Sequence, residues 1–185
     1  MFGNLTQRCA TCIAQSTCWS VQTAPSITGR RSKLVKYSFD DFAPGRSFPL
    51  GPKTVTAEEI IEFAMEFDPQ PMHLSEEAGK ASILGGLAAS GWHTCGMLMR
   101  MTVDSYIGQS SAHAGLGVDF VEWKKPVLAG DTLTGSSTVV ERRVSKSRPD
   151  RGVVKLRHEL QNQHDDTVCI VELNAMLATS AEATP

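Results

Sequence analysis

Two periods divide the chain: apolar residues recur at helical spacing from Thr56 to about Tyr106 and then alternate from Leu116 onward. Ile60, Phe63, Ala64 and Phe67 fall at i, i+3, i+4 and i+7, which predicts an amphipathic helix of about three turns. Thr56-Ala57-Glu58-Glu59 opens it as a capping box, and Pro69 ends it. Ahead of it, after the Ala43-Pro44-Gly45 turn, residues 46–55 read as a short strand or extended arm. Asp68-Pro69-Gln70-Pro71 is expected to be a rigid loop, because each proline fixes its own φ and disfavours helix in the residue before it. Ser75-Glu76-Glu77 starts a second short helix, interrupted at Gly85-Gly86.

A longer helix is predicted from Ser90 to about Tyr106. Trp92, Cys95, Met99, Val103 and Tyr106 mark one face, and Leu98 and Met101 fill another. A helix apolar over most of its girth is expected to be buried. The alternating segments that follow are Leu116–Trp123, residues 132–145, Val154–Leu160 and residues 167–178. Short turns between them argue an antiparallel meander. The class is α+β, with a sheet that must curl around the buried helix to cover it.

Composition narrows the picture. Of 185 residues, 41% are hydrophobic and 21% charged, the values of an ordinary globular chain. That excludes a mainly disordered, collagen-like or disulfide-scaffold protein. A net charge of −2 gives no case for a nucleic-acid partner, and no apolar run is long enough to span a membrane. The average conceals a split. The first 36 residues carry Arg8, Arg30, Arg31, Lys33 and Lys36 and no acidic residue, so the remainder is −7. We place the boundary there: a basic extension over 1–36 and a regular domain over 37–180. The extension can be an organelle transit peptide, a flexible tail or the product of a start placed too far upstream. A dispensable tail is favoured. Its Cys9-x-x-Cys12 pair lacks the second ligand pair of a zinc site, so no metal is expected. Cys95 and Cys169 lie inside apolar patterns, which suits reduced thiols in a cytoplasmic protein.

The densest candidate for chemistry is Phe67-Asp68-Pro69-Gln70-Pro71-Met72-His73. A carboxylate and an imidazole five residues apart on a stiffened loop can hold one water or substrate atom between them. The plainer alternative has Asp68 ending one helix and His73 leading into the next. The second candidate is Gly85-Gly86-Leu87-Ala88-Ala89-Ser90-Gly91 at the start of the long helix. Unpaired amides there, with a glycine to admit a carbonyl oxygen, outline an oxyanion hole. The alternative is a flexible connector. Ser90 lacks the glycine-flanked pattern of a nucleophile elbow. His93, His113, His158 and His164 lack ligand spacing and read as structural or exposed. Between 141 and 157 basic residues outnumber acidic ones by five, which reads as a solvated hairpin or as a patch for substrate phosphates.

In these segments the sequence resembles the MaoC-like dehydratases, the group that includes (R)-specific enoyl-CoA hydratases, over roughly residues 37–178. The family's Asp, Asn-Pro and His motif appears as Asp68-Pro69-Gln70-Pro71-Met72-His73, with Gln70 where Asn is usual. Its small-residue segment at a helix start appears as Ala89-Ser90-Gly91-Trp92-His93-Thr94, with Ser90 where many hydratases have His. Its R-P-V-x-x-G-D element appears as Lys125-Pro126-Val127-Leu128-Ala129-Gly130-Asp131. Met99 falls near a serine position of some members.

The resemblance implies the hotdog fold, a curved antiparallel sheet wrapped around a long central helix. It also implies a homodimer or higher homo-oligomer with sheets joined edge to edge. The implied reaction is reversible addition of water to a trans-2-enoyl-CoA, giving a 3-hydroxyacyl-CoA. Asp68 and His73 would activate the water and exchange a proton with the α-carbon, and the Gly91 amide would stabilise the enolate oxygen. Gln70 and Ser90 are expected to touch the substrate, and Arg148 and Arg151 its phosphates. No cofactor is implied, since coenzyme A enters as part of the acyl thioester. The rival readings are a hotdog acyl-CoA thioesterase and a non-catalytic acyl-CoA-binding module.

Overall fold

The computed structural model of the protein describes residues 35–179. The basic extension before residue 35, with its Cys9-x-x-Cys12 pair, lies outside the described residues. The elements are β1 (Ser47–Thr54), α1 (Ala57–Phe67), α2 (Pro71–Leu74), α3 (Glu76–Ala81), α4 (Gly91–Ser105), β2 (Ala112–Trp123), β3 (Thr132–Val144), β4 (Arg151–Gln161) and β5 (Thr167–Ala178). The capping box is present: Thr56 Oγ1 accepts from the Glu59 amide at 3.2 Å, and Glu59 Oε1 accepts from the Thr56 amide at 2.9 Å. On α1, Ile60 and Ala64 are buried, Phe63 is half-buried, and Phe67 is exposed.

The five strands form one antiparallel sheet in the order β1-β3-β4-β5-β2. Only β3, β4 and β5 form the expected meander. β2 pairs with the far edge of β5 instead of with β3. Its link to β3 is no tight turn. Lys124 stays bonded to Val168 beside β5, and Ala88 then bridges Leu128, so residues 124–131 cross the end of the sheet.

α4 packs one face on the sheet, and this is the hotdog arrangement. Met97, Leu98 and Met101 are buried there, each worth about 1.5–3 kcal/mol of transfer free energy. The helix is not covered all round, as its composition suggested. Trp92 is 63%, Met99 48% and Val103 39% exposed, because one sheet shields one face and none of the described residues covers the other. On edge strand β2, Leu116, Val118, Phe120 and Trp123 are exposed as well. No helix among the described residues is long and apolar enough to cross a membrane.

Candidate functional site

Asp68 caps the end of α1, its amide bonded to the Ala64 carbonyl at 3.0 Å, and Pro69 turns the chain away. Both carboxylate oxygens are occupied: Gln70 Nε2 donates to Oδ1 at 2.7 Å and Ser90 Oγ to Oδ2 at 2.6 Å. The Ser90 bond first, then the Gln70 bond, hold the Asp68 carboxyl below its ordinary pKa, so it is ionised at neutral pH.

His73 is not on a loop, as the prolines suggested. Pro71 starts the single-turn helix α2, where its missing N–H costs nothing, and His73 sits inside that turn at 6% exposure. Its Nδ1 lies 2.7 Å from the Ala88 carbonyl, and its Nε2 lies 3.7 Å from Asp68 Oδ2. A carbonyl oxygen can only accept, so Nδ1 carries a proton, and in the neutral ring this leaves the Nε2 lone pair facing the carboxylate. Two acceptors cannot bond to each other, and a water donating one proton to each fits between them at this 3.7 Å separation.

The stretch before α4 is no loose connector. The Leu87 amide donates to Glu76 Oε2 at 2.8 Å, the Ala89 amide to the Val127 carbonyl at 2.8 Å, and the Ala88 amide to the Met72 carbonyl at 3.3 Å. Gly79 lies so close to this stretch that an added Cβ would stand 2.2 Å from the Gly86 carbonyl oxygen. Ser90 then caps α4, accepting from the Trp92 amide at 3.3 Å. Gly91 heads the helix, where first-turn amides carry partial positive charge. The Trp123 indole covers Gly91 and donates to its carbonyl at 3.0 Å.

Asp68, Gln70, His73, Ser90 and Gly91, brought together from two sequence candidates, line one cavity of about 500 Å³. Ser90 acts on Asp68 and the helix rather than standing free for a substrate. Trp123, Lys124 and Lys125 complete the wall. The sequence held a signal for the lysines in the segment before Pro126, but none for Trp123 reaching across to α4. Met99 lies elsewhere, in the wall of a second cavity.

Arg148 and Arg151 are not brought to this site within the chain. They line a separate cavity at the β3–β4 turn. Arg151 pairs with Ala178 at one end of β4, whereas Gln161 at the other end pairs with Thr167. Ten residues of strand put about 30 Å between the two ends. The surrounding charges are also engaged: Arg151 with Asp150, Arg157 with Glu172, and Lys155 with Asp119. The hairpin is therefore a solvated one. Among the described residues no cluster of three or more His, Cys, Asp or Glu could hold a metal.

Residues 41–162 match the family described as MaoC-like domain. The crystal structure of a MaoC-like dehydratase from Rhodospirillum rubrum is 39% identical and superposes with a TM-score of 0.72, covering 77% of this chain and 97% of that one. An uncharacterized protein of Bacillus subtilis, YdeM, is 27% identical over 138 residues, 75% of this chain and 96% of its own. The R-hydratase PhaJ1 of Pseudomonas aeruginosa shares the fold at 17% identity, with a TM-score of 0.64 over 77% of this chain and 86% of that one.

Proposed function

The chain belongs to the MaoC-like domain family, and from that premise we propose that it is a hydratase or dehydratase that adds water reversibly to a trans-2-enoyl-CoA. One observation carries the reading: the His73 Nε2 lone pair and an ionised Asp68 oxygen face each other across 3.7 Å at the mouth of a helix start. A water held between them keeps its oxygen lone pairs for the β-carbon. As the oxygen–carbon bond forms, His73 Nε2 takes one water proton and the alkene electron pair moves toward the thioester oxygen. The Gly91 amide stabilises that enolate oxygen. The imidazolium, held by the Asp68 charge, then returns the proton to the α-carbon and closes the balance. Dehydration runs the same steps backward.

Lys124 and Lys125 are the cations at this cavity and suit the phosphates of coenzyme A, each paired at present with a surface carboxylate, Glu122 and Asp166. The exposed strip of α4 and edge strand β2 supports a homodimer, since a second copy would cover both. The free thiols of Cys95 and Cys169 fit a reducing compartment such as the cytoplasm.

The test is crotonyl-CoA with the purified protein, followed at the enoyl absorbance and with a thiol reagent. Loss of the band without thiol release is the expected result. Thiol release would make the protein a thioesterase, and no change in either signal would make it a binding module.

A further inference from the structure

Trp123, the last residue of β2, reaches across to the start of α4. Its backbone is fixed in the sheet, where it pairs with Cys169 of β5, and Trp92 meets its ring edge to face at 5.5 Å. The indole Nε1–H donates to the Gly91 carbonyl at 3.0 Å. Cys95 is a second acceptor for the same N–H, and a weak one, being sulfur. The Gly91 carbonyl belongs to the same peptide unit as the Trp92 amide, which donates to Ser90 Oγ at 3.3 Å. Ser90 in turn donates to Asp68 Oδ2 at 2.6 Å.

These three bonds run in one sense. Each group accepts from the one before it and donates to the next, from the indole N–H through the Gly91–Trp92 peptide and the Ser90 hydroxyl to the carboxylate. In such a chain each bond polarises the following one: a bond accepted by a peptide carbonyl makes the N–H of that peptide a better donor, and a hydroxyl oxygen that accepts a bond gives its own proton more strongly. The ionised acceptor at the far end makes the last bond the strongest, and its pull is felt back along the series. A reversed donor at any step would break this coupling.

We propose that Trp123 is a positioning residue of the reaction: through the Gly91–Trp92 peptide and Ser90 it sets the orientation and hydrogen bonding of Asp68, the carboxylate that faces His73 across 3.7 Å. The inference rests on the hydratase reading above. Control of the site thus extends to a strand that contributes none of the reacting groups and that pairs, among the described residues, with β5 alone. A purely structural Trp123 would act by packing its ring against Gly91, and that role needs the ring but not the N–H.

The experiment is a kinetic double-mutant cycle on the full chain with crotonyl-CoA. Trp123→Phe keeps an aromatic ring against Gly91 and loses the donor, and Ser90→Ala cuts the chain downstream. Trp123→Phe alone is expected to lower kcat about three- to tenfold with KM within about twofold of wild type. In the Ser90→Ala background the same replacement changes kcat by less than about 1.5-fold, because the link is already cut. An equal loss in both backgrounds makes Trp123 a packing residue and overturns the proposal, and so does an unchanged kcat. A second measurement needs neither turnover nor a Trp123 variant. The indole N–H proton resonance of Trp123, one of three tryptophans, moves upfield in Asp68→Asn, and the move is absent when Ser90 is already alanine. An unmoved resonance, or the same move without Ser90, overturns the chain even where Trp123→Phe fails to fold. Failure of the wild type to hydrate crotonyl-CoA overturns the hydratase reading and with it the catalytic role of Trp123, while the resonance still decides the hydrogen-bond chain.

Discussion

Ser90 donates its hydroxyl proton to the very Asp68 oxygen that faces His73, at 2.6 Å across 22 residues of sequence. The same hydroxyl oxygen accepts from the Trp92 amide and so caps α4. One side chain thus ties the orientation of the Asp68 carboxylate to the start of the central helix.

Ser90→Ala removes both bonds. Loss of the cap costs about 1 kcal/mol, and misplacement of Asp68 lowers kcat about ten- to hundredfold. The Asp68 carboxyl, held below 3.8 when folded, contributes stability that is full above its unfolded value and lost as pH falls through the folded one. Without Ser90 its pKa rises toward 3.8, so acid unfolding begins at a higher pH. Urea titrations across pH 3 to 7 measure the shift; coincident acid limbs would remove Ser90 from the control of Asp68.

His73→Ala is expected to lower kcat by about 10²–10⁴. Because His73 is buried and bonded to the Ala88 carbonyl, this variant also melts earlier. His73→Asn can keep the bond to that carbonyl. It should melt near wild type while remaining as inactive as the alanine variant, which separates chemistry from folding.

Gly91 admits no side chain beneath Trp123: an added Cβ would stand 2.6 Å from the indole Cε2. Gly91→Ala therefore destabilises by about 1–3 kcal/mol rather than sparing the fold. In a Trp123→Leu background the penalty shrinks. A double-mutant cycle by denaturant unfolding measures this coupling, and additive effects would contradict the packing.

Replacing Arg148 and Arg151 by Ala should leave KM for a CoA ester unchanged, because both lie at the far turn of β4. Replacing Lys124 and Lys125 should raise it, flatten its dependence on ionic strength, and spare a pantetheine thioester. Steady-state kinetics at two salt concentrations distinguish the two pairs; the opposite pattern would return the phosphate site to the hairpin.

Met99→Lys places a charge in the middle of the exposed α4 strip. Sedimentation should give a dimer for the wild type and a lighter species for the variant. A monomeric wild type would leave this apolar strip without its proposed cover.

The local periods made most elements legible before any coordinates. The Thr56 capping box, the halt at Pro69 and the alternation of β4 depend on neighbours within a few residues, and all three appear as read. What failed depends on distant partners. β2 alternates like any strand, yet its pairing with β5 is decided by the path of residues 124–131. An apolar stripe on α4 announces that something covers it, but not whether that cover is the chain's own sheet. In the site, Asp68 and His73 were legible because a proline-rich loop joins them. Ser90's bond to Asp68 was not, since it needs two segments to meet in space. The basic hairpin misled because charge was counted along the sequence, where Asp119 and Glu172, the actual partners of Lys155 and Arg157, do not appear.

The pinned stretch from Leu87 to Gly91 has a practical corollary. It supplies the carbonyl that holds His73 Nδ1, the hydroxyl that grips Asp68 and the amide proposed for the enolate, so the placing of both side chains depends on five consecutive residues. Met99, Val118 and Leu173, which line the second cavity, lie outside this stretch. Substitutions confined to the sheet, Trp123 apart, and to the last turns of α4 therefore leave this stretch, and the bonds it makes to His73 and Asp68, in place.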